Sequence, residues 1–491
     1  MTACRYLTIA ALCVTGLFSG CAVGPDFKRP AAPEIGDYTR EPLSGKTASV
    51  DVAGGEEQKF VRDQEISAQW WTLFQSPQLS ALVEKALKNN PSVQAAQAAL
   101  RQARELVYAQ QGYYYPTVQG NLSSSRQRTS ATVSPTLNSN ERLFNLHTAQ
   151  VTVGYTPDVF GGLRRQVESL QAQASSQRFL LEATYLTLTS NLVAAAVQEA
   201  GLRSQIASAK DIIEINTKSL ELLRRQFAAG FVAGFDVAAQ EAALAQAQQA
   251  LPPLQKQLEQ TRNLLAALAG RFPAEGSEEI FELSTLRLPD ELPVSLPSKL
   301  VEQRPDVRAA EEQLHAASAE IGVAVANMVP QFTITAARGG TATVFSQMFA
   351  DGNPFWSVAG SVTQTIFAGG TLLHRKRAAE AAFDQSGAQY RSTVIAALQN
   401  VADALYALQA DADALRAAVN SERAAKVTLD LARKRLELGQ VNYLSLLSAQ
   451  QTYQQTVISR SQAQASRFTD TAALFQALGG GWWNRLNEPA R

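Results

Sequence analysis

Residues Arg433–Gln455 read RKRLELGQVNYLSLLSAQQTYQQ, and Arg224–Gln246 read RRQFAAGFVAGFDVAAQEAALAQ. Gly439 lies 209 residues after Gly230, and the same offset sets Leu429 against Leu220, Leu436 against Phe227, Val441 against Val232, Leu444 against Phe235 and Leu446 against Val237. Each copy reads as two amphipathic helices meeting at a glycine. A helix C-terminus favours a residue free to take the left-handed conformation, and Asp236 or Ser445 then stands near the next helix start, where a short polar side chain can cap. The chain therefore makes a very long helix, turns and comes back, twice.

The 491 residues carry 44 basic and 44 acidic side chains, so no global field attracts nucleic acid or an acidic substrate. Residues 1–20 place Arg5 before the apolar run Tyr6–Phe18, too short to span a bilayer, and end in small residues, which is the pattern of an export signal. Cys4 and Cys13 would leave with that signal, so Cys21 would have no intrachain disulfide partner. Ser19-Gly20-Cys21 resembles a bacterial lipobox, which makes Cys21 the expected lipidated first residue of the mature chain, although Phe18 stands where Leu is usual. The alternative is a plain signal peptide with an incidental cysteine. Ala22, rather than Asp, follows the cysteine, which by resemblance to lipoprotein sorting implies the outer membrane.

Residues 21–66 are rich in Pro, Gly and charge without periodicity and read as an extended arm. A first repeat spans 67–270. Its opening helix is kinked or split at Pro91, and two strands follow at about 116–130 and 148–160. In the second, Val151, Val153 and Tyr155 alternate with Gln150, Thr152 and Gly154. After Gly161-Gly162 the helical pattern runs for roughly 65 residues, about 100 Å at ~1.5 Å per residue. Another helix, Asp236–Gly270, should bend or break at Pro252-Pro253. Residues 271–297 read as a Pro-rich linker or equatorial segment. The second repeat spans 298–480, because Pro305 follows Pro91 by 214 residues and the same offset pairs Leu314 with Leu100 and Pro330 with Pro116. Its strands are expected at about 331–344 and 355–367, and 481–491 form a tail.

Four strands cannot close a barrel with an interior, and open edges are intolerable in lipid. If the strands are membrane-embedded, copies of the chain must pool them, and a symmetric ring would satisfy strands and long helices together.

The lipobox, Trp70-Trp71 with Phe74 and Leu79, Ala86-Leu87-Lys88-Asn89-Asn90-Pro91, Phe160-Gly161-Gly162-Leu163, the run Gly439–Gln450 and Ala477-Leu478-Gly479-Gly480-Gly481-Trp482 together resemble the outer membrane factor (outer membrane efflux protein) family. The similarity lies in its lipidated OprM/NodT-like branch, with a TolC-like fold. The resemblance implies a mainly α protein with membrane β structure. Internally duplicated, long antiparallel helices would form a periplasmic α-barrel, and four strands per protomer would enter a trimeric twelve-stranded outer-membrane β-barrel. It further implies a homotrimer, a periplasmic adaptor, an inner-membrane RND pump, outer-membrane lipid, and a passive exit duct for drugs or small molecules. Neither cofactor, metal nor enzymatic activity is expected. A duct for type I protein secretion is the alternative within the fold, and a lipid-anchored periplasmic coiled-coil scaffold lies outside it.

Carried over residue by residue, the resemblance implies a periplasmic gate at Leu444 and Ser448, with Tyr443, Ser445 and Gln451 beside them and Asp236 as the first-repeat equivalent of Ser445. Asp236 is equally an N-cap candidate, and Leu444 could be ordinary coiled-coil core. Relatives often carry Asp where Ser448 stands and Arg where Gln451 stands, so closure here would lean on Leu444 and neutral hydrogen bonds. The turns Gly230-Phe231-Val232 and Gly439-Gln440-Val441 would meet the adaptor. Arg164-Arg165 and His374–Arg377 read as solvated faces or as contacts to lipid headgroups. Tyr113–Tyr115, Phe355 and Trp356 suit an aromatic girdle. His147, His315 and His374 are far apart in sequence and begin no metal-ligand spacing.

Overall fold

The computed structural model describes residues 22–42, 44–130, 132, 141–276 and 279–485; Cys21, the signal segment and the last six residues of the tail lie outside them. In order, the elements are β1 (Lys59–Arg62), α1 (Pro77–Asn89), α2 (Pro91–Gln111), β2 (Thr117–Arg128), β3 (Leu143–Tyr155), α3 (Gly162–Ala228) and α4 (Gly234–Leu268). They continue with β4 (Glu291–Val294), α5 (Pro297–Gln303), α6 (Pro305–Ala326), β5 (Gln331–Ala342), β6 (Pro354–Thr363), α7 (Thr371–Glu437) and α8 (Tyr443–Ala477). The chain divides into two compact units: one holds residues up to Pro30, Ala99–Gln177 and Ala310–Tyr390, the other Ala31–Ala98, Arg178–Ala309 and everything from Arg391 onward.

The first unit contains one antiparallel sheet in the order β2-β3-β5-β6, so the two repeats meet where β3 pairs with β5. Register places Val118, Val153, Ala336 and Val358 side by side on one face, and Gln119, Thr152, Ala337 and Ser357 on the other. Alternation along each strand makes the first face apolar, with Leu122, Val151, Ile334, Trp356 and Val362, and the second rich in Thr, Ser, Gln and Asn. Within the protomer the outer edges of β2 and β6 have no strand partner among the described residues.

Strand β3 begins and ends five residues before the expected 148–160. Phe144–Thr148 pair with Ser123–Gln127, and after Tyr155 the chain is committed to the next helix. Asp158 accepts from the amides of Leu163 (3.0 Å) and Arg164 (2.9 Å), supplying the first turn of α3 with acceptors that a strand could not. Strand β6 stops at Thr363 rather than 367, because its partner β5 starts at Gln331 opposite it; Ile366 and Phe367 lie beyond the ladder, 96% and 88% exposed. Strand β5 likewise ends at Ala342 rather than 344, short of the single helical turn Phe345–Gln347.

In the second unit, Trp70 stacks on Phe475 at 5.3 Å, and Phe74, Phe468, Leu79 and Leu82 complete a fully buried core. The helices that reach this unit approach closely through small residues, as where Gly201 faces Ala465; a Cβ at Gly201 would stand 3.1 Å from the alanine methyl. Helix α3 is long and apolar enough to qualify as a membrane span by length and composition, yet Leu192, Val193, Ala196 and Val197 within it are buried.

Three expectations need correction. Of the bend or break expected at Pro252 and Pro253, the break does not occur: helix α4 runs through both prolines. The stretch expected as a Pro-rich linker or equatorial segment, without period, buries Phe281, Leu286 and Leu292, and its strand β4 pairs in parallel with β1 of the arm. Those apolar residues carry no period because they fall on irregular chain, the end of a single helical turn and a short strand rather than on one long element. Arg165 is not solvated but 4% exposed.

Candidate functional site

The two turns picked out by the repeat share one hydrogen-bond pattern. Gly230 donates to Phe227 O (2.9 Å) and Phe231 to Gln226 O (2.9 Å); 209 residues later Gly439 donates to Leu436 O (3.0 Å) and Gln440 to Arg435 O (2.9 Å). With φ of +79° and +65° at the glycines, both are left-handed helix terminators closed by a six-to-one bond. The helices that follow are capped differently. Asn442 caps α8, its Oδ1 accepting from the amide (3.1 Å) and hydroxyl (2.8 Å) of Ser445. At the other turn the N-cap position is Ala233, and Asp236 sits three residues on, reaching back to accept from the Ala233 amide at 3.4 Å. Asp236 is thus the N3 half of a capping box rather than the N-cap itself.

Leu223, Leu429, Tyr443, Leu446 and Ala449 form one apolar cluster, against which Val232, Val237, Ala432, Leu436 and Tyr453 pack, so α3, α4, α7 and α8 share a core beside the turns. A buried polar chain crosses it. Tyr443 donates its hydroxyl to Gln240 Oε1 (2.6 Å), Gln240 Nε2 donates to Asn216 O (2.9 Å) and Oδ1 (3.0 Å), and Asn216 Nδ2 donates to Ile212 O (2.8 Å). Burial, with a smaller push from the Asp236 charge and against a hydrogen bond from Ser219, raises the Tyr443 phenol to about 12. It is therefore a neutral donor at any physiological pH.

The structure separates the expected gate residues into two groups. Leu444, Ser448 and Gln451 share one exposed stripe of α8 at helical spacing, with Leu444 42% exposed. Leu444 is therefore not core within the protomer. Tyr443 faces the other way, into the polar chain, and Ser445 is engaged by the cap. At the turns themselves Gly230, Phe231, Gly439 and Gln440 are exposed while Val232 and Val441 are half-buried; Phe231 is 81% exposed. Phe227, Phe235 and Leu438 add to an exposed apolar rim. Tyr113, Tyr115 and Trp356 are exposed at the sheet and its approach. No group of three or more metal-ligating side chains occurs among the described residues.

Asn216 and Gln240 escape a reading based on repeat symmetry, since 209 residues on they correspond to the buried Ala425 and Ala449, while Tyr443 corresponds to Gly234. That departure from the repeat is itself the signal that would locate them.

The profile of the family described as outer membrane efflux protein matches residues 82–271 and 296–480, covering both repeats. The pyoverdine export outer membrane protein OpmQ of Pseudomonas putida is 29% identical over 426 residues, 86% of this chain and 89% of its own length. The toluene efflux pump outer membrane protein TtgC of Pseudomonas putida is 28% identical, with 98% of this chain and 97% of TtgC aligned. The solved structure of the outer-membrane channel OprN superposes with a TM-score of 0.83 at 28% identity, covering 94% of this chain and all of that one. A family whose members are channels, a sheet with one apolar and one polar face, and paired long helices agree with one another. The chain belongs to the outer membrane efflux protein family and is an outer-membrane channel component of an efflux system.

Proposed function

We propose that three copies of the chain form a passive exit duct, each contributing β2, β3, β5 and β6 to a twelve-stranded barrel, and that the turns Gly230–Val232 and Gly439–Val441 carry the contact with a periplasmic adaptor and, through it, an inner-membrane RND-type pump. The observation that supports this most is the sheet of the first unit, with its apolar face, its polar face and two unpaired edges. A two-faced sheet with raw edges is stable in lipid only when neighbours pair with both edges, and closure by copies of the same chain does so with one operation. The polar face then lines a wet lumen and binds no particular solute tightly, so specificity would lie elsewhere in the pump assembly.

The exposed stripe Leu444–Ser448–Gln451 supports a constriction built by symmetry: three leucines close a gap by packing and exclude water, and three serines add neutral hydrogen bonds. Planar-bilayer recording of the purified oligomer tests both parts. Small conductance in the wild type, rising severalfold in Leu444→Ala, supports duct and gate. A monomer that never conducts overturns the duct, and a conducting trimer indifferent to Leu444→Ala overturns the gate alone.

A further inference from the structure

The first residues of the described chain are held by a site built for them. The Val23 amide donates to Phe160 O at 3.0 Å, at the junction between β3 and α3. Arg165, on the first turn of α3, donates through Nε to Val23 O (3.2 Å), through Nη2 to Asp26 Oδ1 (2.6 Å) and through Nη1 to Glu168 Oε2 (2.8 Å). All three guanidinium nitrogens are thus used, and the side chain is 5% exposed. Four residues past Val23, Phe27 stacks on His315 of α6 at 4.4 Å and 13°. The imidazole is itself oriented by Glu168 Oε1 at 2.9 Å. Arg29 ends the contact on Glu311, at 3.0 Å.

Three glycines make room for this segment. A Cβ on Gly24, whose φ is +92°, would stand 2.4 Å from Gly322 Cα; one on Gly322 would stand 2.7 Å from Arg165 Cγ; and one on Gly161 would stand 2.6 Å from Ala22 Cα. Backbone therefore lies on backbone at Gly24 and Gly322, with Arg165 running alongside. A loose tether needs neither a buried arginine nor matched glycines on two sides of the contact.

We infer that Ala22–Arg29 is a docked segment, and that Arg165 is the positioning residue that pins the start of the mature chain to the β3–α3 junction. The consequence for membrane attachment rests on Cys21 being the lipidated residue. In that case the acyl group is fixed one residue from Ala22 at the base of the strands, and its depth is set by the fold rather than by the length of a flexible arm. Arginine is suited to the task because one planar fork satisfies a backbone carbonyl and two carboxylates together, which lysine cannot do.

Trypsin digestion of the detergent-solubilised full chain, with mass mapping of the cut at Lys28–Arg29, tests the docking; Arg29 is followed by Pro30 and resists cleavage. Cleavage requires the segment to leave its seat, so its rate follows the population of the released state. Arg165→Gln and Arg165→Lys should each speed this cut severalfold, the loss expected when the buried guanidinium gives up its bonds to the Val23 carbonyl and to the carboxylates of Glu168 and the exposed Asp26. Gly24→Ala leaves Arg165 in place, forces the backbones apart, and should do the same. Heat-resistance of the oligomer is measured in parallel, so that general unfolding is recognised by cuts throughout the chain. Equal rates at Lys28–Arg29 in wild type and in all three variants would overturn the inference. Palmitate incorporation separates the two parts: a labelled wild type with a protected Lys28 supports both, whereas an unlabelled wild type with the same protection removes the anchor consequence and leaves the docking standing.

Discussion

The Tyr443 phenol lies 2.6 Å from Gln240 Oε1, and this one bond ties the start of α8 to α4 through a chain that ends on Asn216 of α3. Tyr443 directly precedes Leu444, so the bond fixes the rotation of α8 at the position where the exposed stripe begins. Tyr443→Phe keeps the ring in the apolar cluster but leaves Gln240 Oε1 buried without a donor, a cost of roughly 1–3 kcal/mol. Thermal and chaotrope unfolding should show that loss. Adding Gln240→Leu alone should not recover it, since that change takes the Nε2 donor from the buried Asn216 Oδ1; the triple variant with Asn216→Ala, which removes the whole chain, should recover part of the loss. If Leu444 is the constriction, the single variant should also conduct more than the wild type.

Much of this arrangement is legible in the residues. The glycine at each turn, the offset that pairs Leu444 with Phe235, and the alternation at Val151 and Val153 come from strong local rules of backbone conformation and side-chain period; the elements exist where those rules point, although the ends of β3, β5 and β6 are set by pairing instead. The polar chain is not legible in this way. Asn216 and Gln240 sit in helices rich in Ala and Gln, where nothing in the local pattern tells a buried amide from a solvated one. Arg165 misleads for the same reason, since a basic pair after a glycine turn looks like surface until the arm is laid over it. Phe281, Leu286 and Leu292 carry no period because no single long element holds them.

Gly439→Ala and Gly230→Ala should each destabilise by about 1–2 kcal/mol, the usual cost of a left-handed non-glycine residue. Nothing lies within 4 Å of the added methyl at either site, so the effect is purely conformational. Substitution by Asn, which tolerates this region better, should cost less than Ala at both turns. Melting temperatures of the four variants rank the outcomes; equal losses for Ala and Asn would contradict a left-handed requirement.

Ser448 and Gln451 stand on the exposed stripe where no formal charge is present. If three copies converge there, Ser448→Asp creates a ring of carboxylates that binds cations, and millimolar divalent ions should then lower conductance reversibly. Wild-type conductance should be insensitive to the same ions. Block of the wild type with no added sensitivity in Ser448→Asp would place the constriction at other residues.

Asp470 of α8 is a hydrogen-bonding neighbour of Asp411 of α7. Burial, then the hydrogen bond that the protonated Asp470 donates to Asp411, and then the Asp411 charge push the Asp470 carboxyl from 3.8 up to about 7. The pair has a basic neighbour: the fully buried Arg467 feels the charge of Asp411 and binds the arm through Glu56 O (3.0 Å) and Gln58 Oε1 (2.9 Å). Because the folded state holds this proton more tightly than the unfolded chain, it binds more protons between the two values. Stability from the pair is therefore complete below about pH 4 and lost as pH rises towards 7. Unfolding midpoints should fall over that interval, on top of the titration of other groups, and Asp470→Asn, which keeps a hydrogen-bonding amide without the second charge, should flatten that part of the profile. The comparison to make is the wild-type minus Asn difference from pH 4.5 to 8. A difference that stays constant over this range would show that Asp470 holds no proton in the folded state above its ordinary range.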